Sequence, residues 1–245
     1  MSGHSKWATI RRKKAVVDSK RAQLFTKVLR EVQVAARIGG GNPEGNSRLK
    51  TAIASARAVS TPTDNINRAI AKGSGDLEGQ VYEEITYEGY GPGGVAVLVK
   101  TMTDNKNRTV SDVRHAFSKN NGSLASANSV AFQFEEKGVL NFPKEDASED
   151  KLMELALDAG ATDVQSIYDE WEVTCEPRDL ENLRKTLQPL SEKLEGAIKF
   201  IPANTVKVAG AEATSVLRLV DMLDDLDDVQ NVYANFEIDD ETLLK

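Results

Sequence analysis

The sequence predicts an α+β protein in which a strongly basic helical domain precedes two small α/β-sandwich domains. Two observations support this. Apolar residues recur with a helical period up to Gly75 and with a strand-like alternation after it. Residues 1–75 carry 15 Lys and Arg against four Asp and Glu, whereas residues 76–245 carry 16 against 34. The net charge of -7 is thus the difference between a segment of +11 and a remainder of -18, and a basic segment of this kind favours a polyanionic partner.

Three helices with short connections are predicted for residues 1–75, which favours a small bundle. The first begins at Asp18 or Ser19 and ends in the glycine run at 39–41. Asn42 and Pro43 are predicted to start the second as N-cap and N1 proline, and Pro62 starts a short third helix. The i, i+3, i+4 spacing predicts the buried positions, which are Leu24, Phe25, Val28, Leu29, Val32, Ala35 and Ala36, then Leu49, Ala52, Ile53, Ala56 and Val59, then Ile66, Ala69 and Ile70.

The next segment alternates apolar and polar residues. Strands are predicted at 82–90 and 95–102, and the glycine-rich residues 91–94 between them indicate a hairpin. A helix is predicted at 107–120, and a further strand at 129–134.

The stretch from Gly138 to Thr205 has its own order of elements. Its predicted strands and helices follow the βαββαβ pattern that is typical of a ferredoxin-like domain, at 139–142, 149–159, 164–168, 171–175, 180–194 and 197–201. A helix at 214–226 and a strand at 229–237 are left over, and they most simply complete the sheet begun at residue 82. The predicted domains are therefore residues 1–75, residues 76–136 with 206–245, and an inserted domain of residues 137–205; a plain linear third domain is the alternative.

The composition argues against several classes of protein. Cys175 is the single cysteine, so an internal disulfide framework and a multi-cysteine zinc site are excluded. No apolar run approaches the ~18 residues of a membrane span, and the N-terminus does not resemble a signal peptide. We expect a cytoplasmic protein with no membrane partner.

The strongest functional signal is a dense basic strip at the N-terminus. Among the first twenty residues only Asp18 opposes the positive charges, whereas a solvated helix face normally mixes both signs. Lys and Arg in such a strip neutralise phosphates and release counterions. Trp7 could stack on an unpaired base, although packing against the bundle is the favoured reading of a lone aromatic residue. The predicted nucleic-acid-binding residues are Lys6, Trp7, Arg11, Arg12, Lys13, Lys14, Lys20, Arg21, Lys27 and Arg30.

A possible secondary contact lies where the helix at 107–120 begins. Asp and Asn before this helix can cap it, and free backbone N–H groups there can hold an anion. Lys106, Arg108 and Arg114 would then assist a phosphate. Capping of the helix alone also explains the Asp and Asn residues at this position.

Catalysis finds little support in the sequence. Residues 89–94 satisfy G-x-G-x-x-G, but a strand rather than a helix follows, so a hairpin is the better reading. Five aspartates between 221 and 228 surround apolar positions at helical spacing, which indicates a solvated face rather than a metal site. His4 and His115 are the only histidines, and no triad is visible. We expect no enzyme activity, no metal, no cofactor and no small-molecule substrate.

Several motifs resemble the YebC/PmpR family. They are Gly3 to Trp7, Asn65 to Ile70, Tyr87 to Val95, Thr103 to Thr109 and Leu226 to Tyr233. Ser60-Thr61 and Asn128 depart from the family's usual Asn-Met and glycine without disturbing the match. The resemblance implies a helical domain followed by two α+β domains, the third inserted into the second.

The resemblance also implies a function in the cytoplasm. Family members are described as DNA-binding transcriptional regulators, and others, including a mitochondrial translational activator of cytochrome c oxidase subunit I, act on RNA or the ribosome. We therefore predict a nonenzymatic, nucleic-acid-binding regulator of transcription, although the sequence lacks a recognisable two-helix DNA reader. A ribosome- or RNA-associated translation factor using the same basic domain is the alternative. An enzyme acting on a nucleotide is a third, for which the sequence offers no catalytic constellation.

Overall fold

The structure, a computed structural model, describes the backbone of residues 18–238 and the side chains of residues 22–238. Within these residues, seven α-helices pack with two four-stranded antiparallel sheets and one small parallel strand pair. The predicted α+β class is confirmed. None of the described helices is long and apolar enough to cross a membrane.

The helical part consists of α1 (Asp18–Gly39), α2 (Ser47–Ala58) and α3 (Thr63–Ser74). Both shorter helices pack on α1. Gly75 takes the left-handed conformation (φ 90°) that ends α3, as glycine does at little cost. The core follows the predicted spacing except at Leu24, which was predicted to be buried but is 37% exposed in the second turn of α1. Its fully or nearly buried members are Val32, Ala35, Ala36, Leu49, Ala52, Ile53, Ala56, Ile66 and Ala69.

The predicted start of the second helix is wrong by four residues. Asn42 caps a turn instead, because its side-chain oxygen accepts from the N–H of Glu44 at 3.0 Å. The N-cap of α2 is the buried Asn46, whose oxygen accepts from Leu49 N at 3.0 Å. The Asn46 amide also donates to the carbonyl of Ala35 at 2.8 Å. Asn46 therefore joins α1 to α2, a tertiary role that local spacing does not reveal.

The first sheet has the order β3-β1-β2-β9. Its strands are β1 (Glu83–Tyr90), β2 (Ala96–Thr103), β3 (Ser123–Leu124) and β9 (Val229–Ala234). The predicted hairpin joins β1 to β2, with Tyr90 opposite Ala96. Helices α4 (Lys106–Lys119) and α7 (Gly210–Asp224) contribute to the core of this part of the molecule, which contains Val97, Val99, Val113, Phe117, Val216, Leu219, Leu223 and Val232.

The second sheet has the order β5-β6-β4-β7, with all neighbours antiparallel. Its elements keep the predicted βαββαβ succession: β4 (Phe134–Pro143), α5 (Glu149–Asp158), β5 (Ala161–Ile167), β6 (Glu170–Cys175), α6 (Leu180–Leu187) and β7 (Glu195–Pro202). Helix α6 is shorter than predicted because a 3-10 turn with Pro189 follows it, and proline cannot supply the next helical N–H.

The chain returns to the first sheet after completing the second. β8 (Val206–Lys207) pairs in parallel with β10 (Phe236–Glu237), and β9 pairs antiparallel with β2. The second sheet thus interrupts the chain between two parts of the first. The exact domain limits at 136 and 205 stay predictions.

Residues 129–133 do not form the strand that was predicted for 129–134. Val130 is fully buried, residues Ala131–Gln133 form a 3-10 turn, and β4 begins only at Phe134. The N–H groups of Val130 and Ala131 donate to the carboxylate of Glu88. The Glu88 side chain thereby accepts the backbone hydrogen bonds that a neighbouring strand would otherwise accept.

Candidate nucleic-acid interface

The predicted basic strip lies mostly beyond the described residues. Lys6, Trp7, Arg11, Arg12, Lys13 and Lys14 are outside them. Lys20 and Arg21 belong to the first turn of α1, where the backbone alone is described. The structure places the side chains of the remaining two predicted residues, Lys27 and Arg30.

Lys27 and Arg30 are held by partners within the chain. The Lys27 ammonium donates to the carbonyl of Asp224 at 2.7 Å and lies 3.1 Å from its carboxylate. Arg30 donates to the carbonyl of Asp227 and lies 3.2 Å from the carboxylate of Asp228. Its guanidinium also stacks over the ring of Tyr82 at 5.1 Å. These two cations therefore dock α1 against the turn between α7 and β9.

Asp228 is the centre of this contact. Its carboxylate, 6% exposed, accepts from Thr109 at 2.8 Å and from Arg108 at 2.7 Å. Thr103 donates to the same carboxylate at 3.2 Å. The prediction of a solvated acidic face is wrong for this residue, because the turn after α7 directs Asp228 towards the start of α4.

Two of the three cations predicted for the possible secondary contact form ion pairs within the protein. Arg108 pairs with both Asp228 and Asp104, which raises the pKa of its guanidinium. Lys106 lies 2.7 Å from Glu83. Arg114 is exposed on α4. The capping expected here is provided by Asn105, whose oxygen accepts from Arg108 N at 3.1 Å.

Arg48 is a further docking residue, and no sequence motif singles it out. Its guanidinium lies 2.7 Å from Glu31 on α1 and 2.7 Å from Glu84 on β1. The hydrogen bonds from Arg48 lower the pKa of Glu84. Arg48 thus connects two helices of the basic segment to the first sheet.

Besides Arg37 near the end of α1, four other cations of the helical part are exposed. Lys50 and Arg57 lie on α2, and Arg68 and Lys72 lie on α3. None of these four belongs to the binding strip predicted from the sequence. Their exposure could be predicted from the sequence, because all four fall between the apolar positions of their helices.

The glycine-rich segment 89–94 forms the hairpin that the sequence predicts. Gly93 and Gly94 have positive φ angles of 70° and 77°, which suit glycine in a tight turn. A Cβ on Gly89 would lie 2.5 Å from the ring of Phe117. Close packing on α4 and turn geometry therefore account for these glycines.

Glu88 precedes this segment and is 5% exposed. Burial by itself would raise the pKa of its carboxyl, but backbone N–H groups from Asn128, Val130 and Ala131, at 2.7 to 2.8 Å, stabilise the anion. The net effect is a lowered pKa. Asn128 has a φ of 65°, a conformation that Asn tolerates better than most residues.

The described residues offer little for catalysis. A cleft of about 350 Å³ between α1 and α4 is lined by Arg108 and Asp228, whose charges are already paired. No group of three or more His, Cys, Asp or Glu between residues 18 and 238 is arranged to hold a metal ion. Cys175 is fully buried, and burial raises the pKa of its thiol to about 11, so it remains protonated at neutral pH.

Known proteins match this chain along its whole length. The family model described as "TACO1/YebC protein N-terminal domain" matches residues 5–76, and "TACO1/YebC second and third domain" matches residues 82–236. A relative from Syntrophus aciditrophicus, named a probable transcriptional regulatory protein, is 50% identical over 100% of this chain and 99% of its own length. One of the same name from Pelotomaculum thermopropionicum is 53% identical over 98% of this chain and 100% of its own.

A solved structure also has the same fold. The crystal structure of a conserved hypothetical protein from Aquifex aeolicus has a TM-score of 0.87 and 45% identity, and the match covers 94% of this chain and 96% of that one. Sequence motifs, family models and three-dimensional fold therefore agree. The chain belongs to the TACO1/YebC family.

Proposed function

We propose that this protein is a nonenzymatic, DNA-binding regulator of transcription that acts in the cytoplasm. The observation that carries the proposal is the separation of charge, +11 in residues 1–75 against -18 in the remainder. Such a distribution attracts a polyanion to one part of the chain and repels it from the rest. The name shared by the relatives supports a regulatory role.

The proposed phosphate contacts divide the basic strip into two groups. Lys27 and Arg30 are engaged with Asp224, Asp227 and Asp228, so their part in binding is to orient α1. Direct contact with phosphates falls to the residues before them, Lys6, Arg11, Arg12, Lys13, Lys14, Lys20 and Arg21, with Trp7 alongside.

Charge reversal tests this assignment. In a variant with Glu at Arg11, Arg12, Lys13 and Lys14, we expect loss of binding to a fluorescent duplex, because the phosphates lose their counter-charges. For the wild type, log affinity should fall with log salt by about 0.9 per duplex phosphate neutralised. A control reverses two exposed cations outside the basic segment, Lys151 on α5 and Lys185 on α6. Equal binding by wild type and variant, or a flat salt response, would contradict the proposal.

A translation factor is the second candidate, because phosphate contacts by Lys and Arg suit RNA as well as DNA. Sedimentation of a cell lysate through a sucrose gradient, with and without RNase, separates the two. Migration with ribosomes that RNase abolishes favours translation. A free protein that retains a promoter fragment at physiological salt favours transcription.

A further inference from the structure

Helices α2 and α3 carry cations that the N-terminal strip does not include. Lys50 and Arg57 on α2 and Arg68 and Lys72 on α3 are exposed. We propose that these four side chains form a second phosphate-contact surface for a nucleic acid, called here the α2/α3 cations. This inference rests on the proposed nucleic-acid binding and assigns to it residues that lie outside the strip.

On α2, the two cations lie on one side of the helix. Leu49 and Ile53 are buried in the bundle, so the helix has a defined inner face. Lys50 and Arg57 are seven residues apart, which is two helical turns, or about 10 Å along the axis. Two positive charges therefore follow one line on the solvent side of α2.

On α3, Ile66 and Ala69 define the buried face. Arg68 and Lys72 are four residues apart and so are neighbours on the helix surface. Between residues 46 and 75, Asp64 is the only acidic residue beside five basic ones. A surface that served solubility alone would intersperse both signs.

The α2/α3 cations differ from three other cations of the helical part. Lys27, Arg30 and Arg48 are ion-paired with acidic residues within the protein. Among the residues whose side chains are described, none of the four α2/α3 cations has such a partner. Within the part of the chain that the structure describes, their charges are therefore available, and a polyanion binding to them would release condensed counterions.

The test measures salt-dependent binding of the full-length protein to a fluorescent 20-base-pair duplex and to a single strand of the same length. One variant carries Lys50→Glu and Arg57→Glu, and another carries Arg68→Glu and Lys72→Glu. The slope of log affinity against log salt should become shallower by about 1.8 per variant on duplex DNA, or about 1.4 on a single strand, if both side chains contact phosphates.

Two controls separate binding from folding. Reversal of Lys151 and Lys185 changes net charge by the same amount on the acidic part of the molecule, and it should leave the slope unchanged. The neutral variants Lys50→Gln with Arg57→Gln, and Arg68→Gln with Lys72→Gln, should reduce the slope as the reversed ones do while keeping the wild-type thermal unfolding midpoint.

The outcomes distinguish this inference from the function on which it rests. If wild type binds with a salt-dependent affinity and the α2/α3 variants match the Lys151 and Lys185 control, the second surface is overturned and nucleic-acid binding stands. If wild type binds neither oligonucleotide, both proposals fail.

Discussion

At the scale of single residues, a buried carboxylate shapes the loop before the second sheet. Glu88 accepts backbone hydrogen bonds from Asn128, Val130 and Ala131, and these lower its pKa despite burial. A carboxyl with a lowered folded-state pKa stabilises the protein above its unfolded pKa. That stability is lost as pH falls through the folded pKa.

We expect Glu88→Gln to cost about 1–3 kcal/mol of unfolding free energy at pH 7, because a neutral amide replaces charge-assisted hydrogen bonds. The difference from wild type should shrink as pH falls from 7 to 3, since the wild-type carboxyl then becomes protonated too. Urea unfolding across this range checks both statements. Glu136→Gln, at an exposed position of the same region, is the control. A loss of unfolding free energy that is the same at pH 7 and at pH 3 would contradict the conclusion that Glu88 is ionised in the folded protein.

At the scale of elements, close packing decides the contact between α1 and α3. A Cβ on Gly73 would lie 2.2 Å from the carbonyl oxygen of Gln33 and 2.8 Å from the Cβ of Ala36. Helix propensity alone predicts that alanine in place of a helical glycine stabilises by up to about 1 kcal/mol. The close packing predicts instead that alanine at position 73 destabilises the protein.

Gly73→Ala should destabilise the protein by about 1–3 kcal/mol, because the two helices must move apart to admit the methyl group. Chemical denaturation measures the effect. Gly45→Ala serves as control, since a Cβ there meets no atom within 4 Å and its φ is not positive. Stabilisation by Gly73→Ala would show that the helices adjust without cost.

The sequence predicted the existence and type of these elements better than their ends. Apolar spacing placed Leu49 and Ile53 on the buried face of α2, because amphipathic periodicity is a local property. The start of α2 depends instead on Asn46, whose amide reaches the carbonyl of Ala35 on another helix. A prediction from neighbouring residues alone favours Asn42, since the proline after it is a common helix start.

At the scale of the whole molecule, ion pairs between distant parts of the chain position the basic helices. Lys27 and Asp224 are 197 residues apart in sequence. The sequence showed the opposite charges of the two segments but not which side chains meet. That pairing identifies Lys27 and Arg30, within the predicted binding strip, as residues that dock α1.

Asp228→Asn should cost about 3 kcal/mol, because the nearly buried Arg30 and its neighbour Arg108 lose their shared anion. Unfolding in urea measures the loss. Hydrogen exchange in α1 should also accelerate, since the helix loses its attachment to the turn after α7. Asp227→Asn is a matched control, because the Asp227 contact to Arg30 uses the backbone carbonyl. Equal effects of both substitutions would contradict the role given to the Asp228 carboxylate.

The interrupted first sheet has a consequence for folding during synthesis. All strands of the second sheet lie between Phe134 and Pro202, so that sheet can form as soon as this stretch has left the ribosome. β2 is completed much earlier, yet its partner β9 begins only at Val229. Until then, one edge of β2 has no strand beside it, and the apolar Val97 and Val99 lack part of their core. If the second sheet folds in this interval, the first sheet is still open to wrong pairing along the free edge of β2.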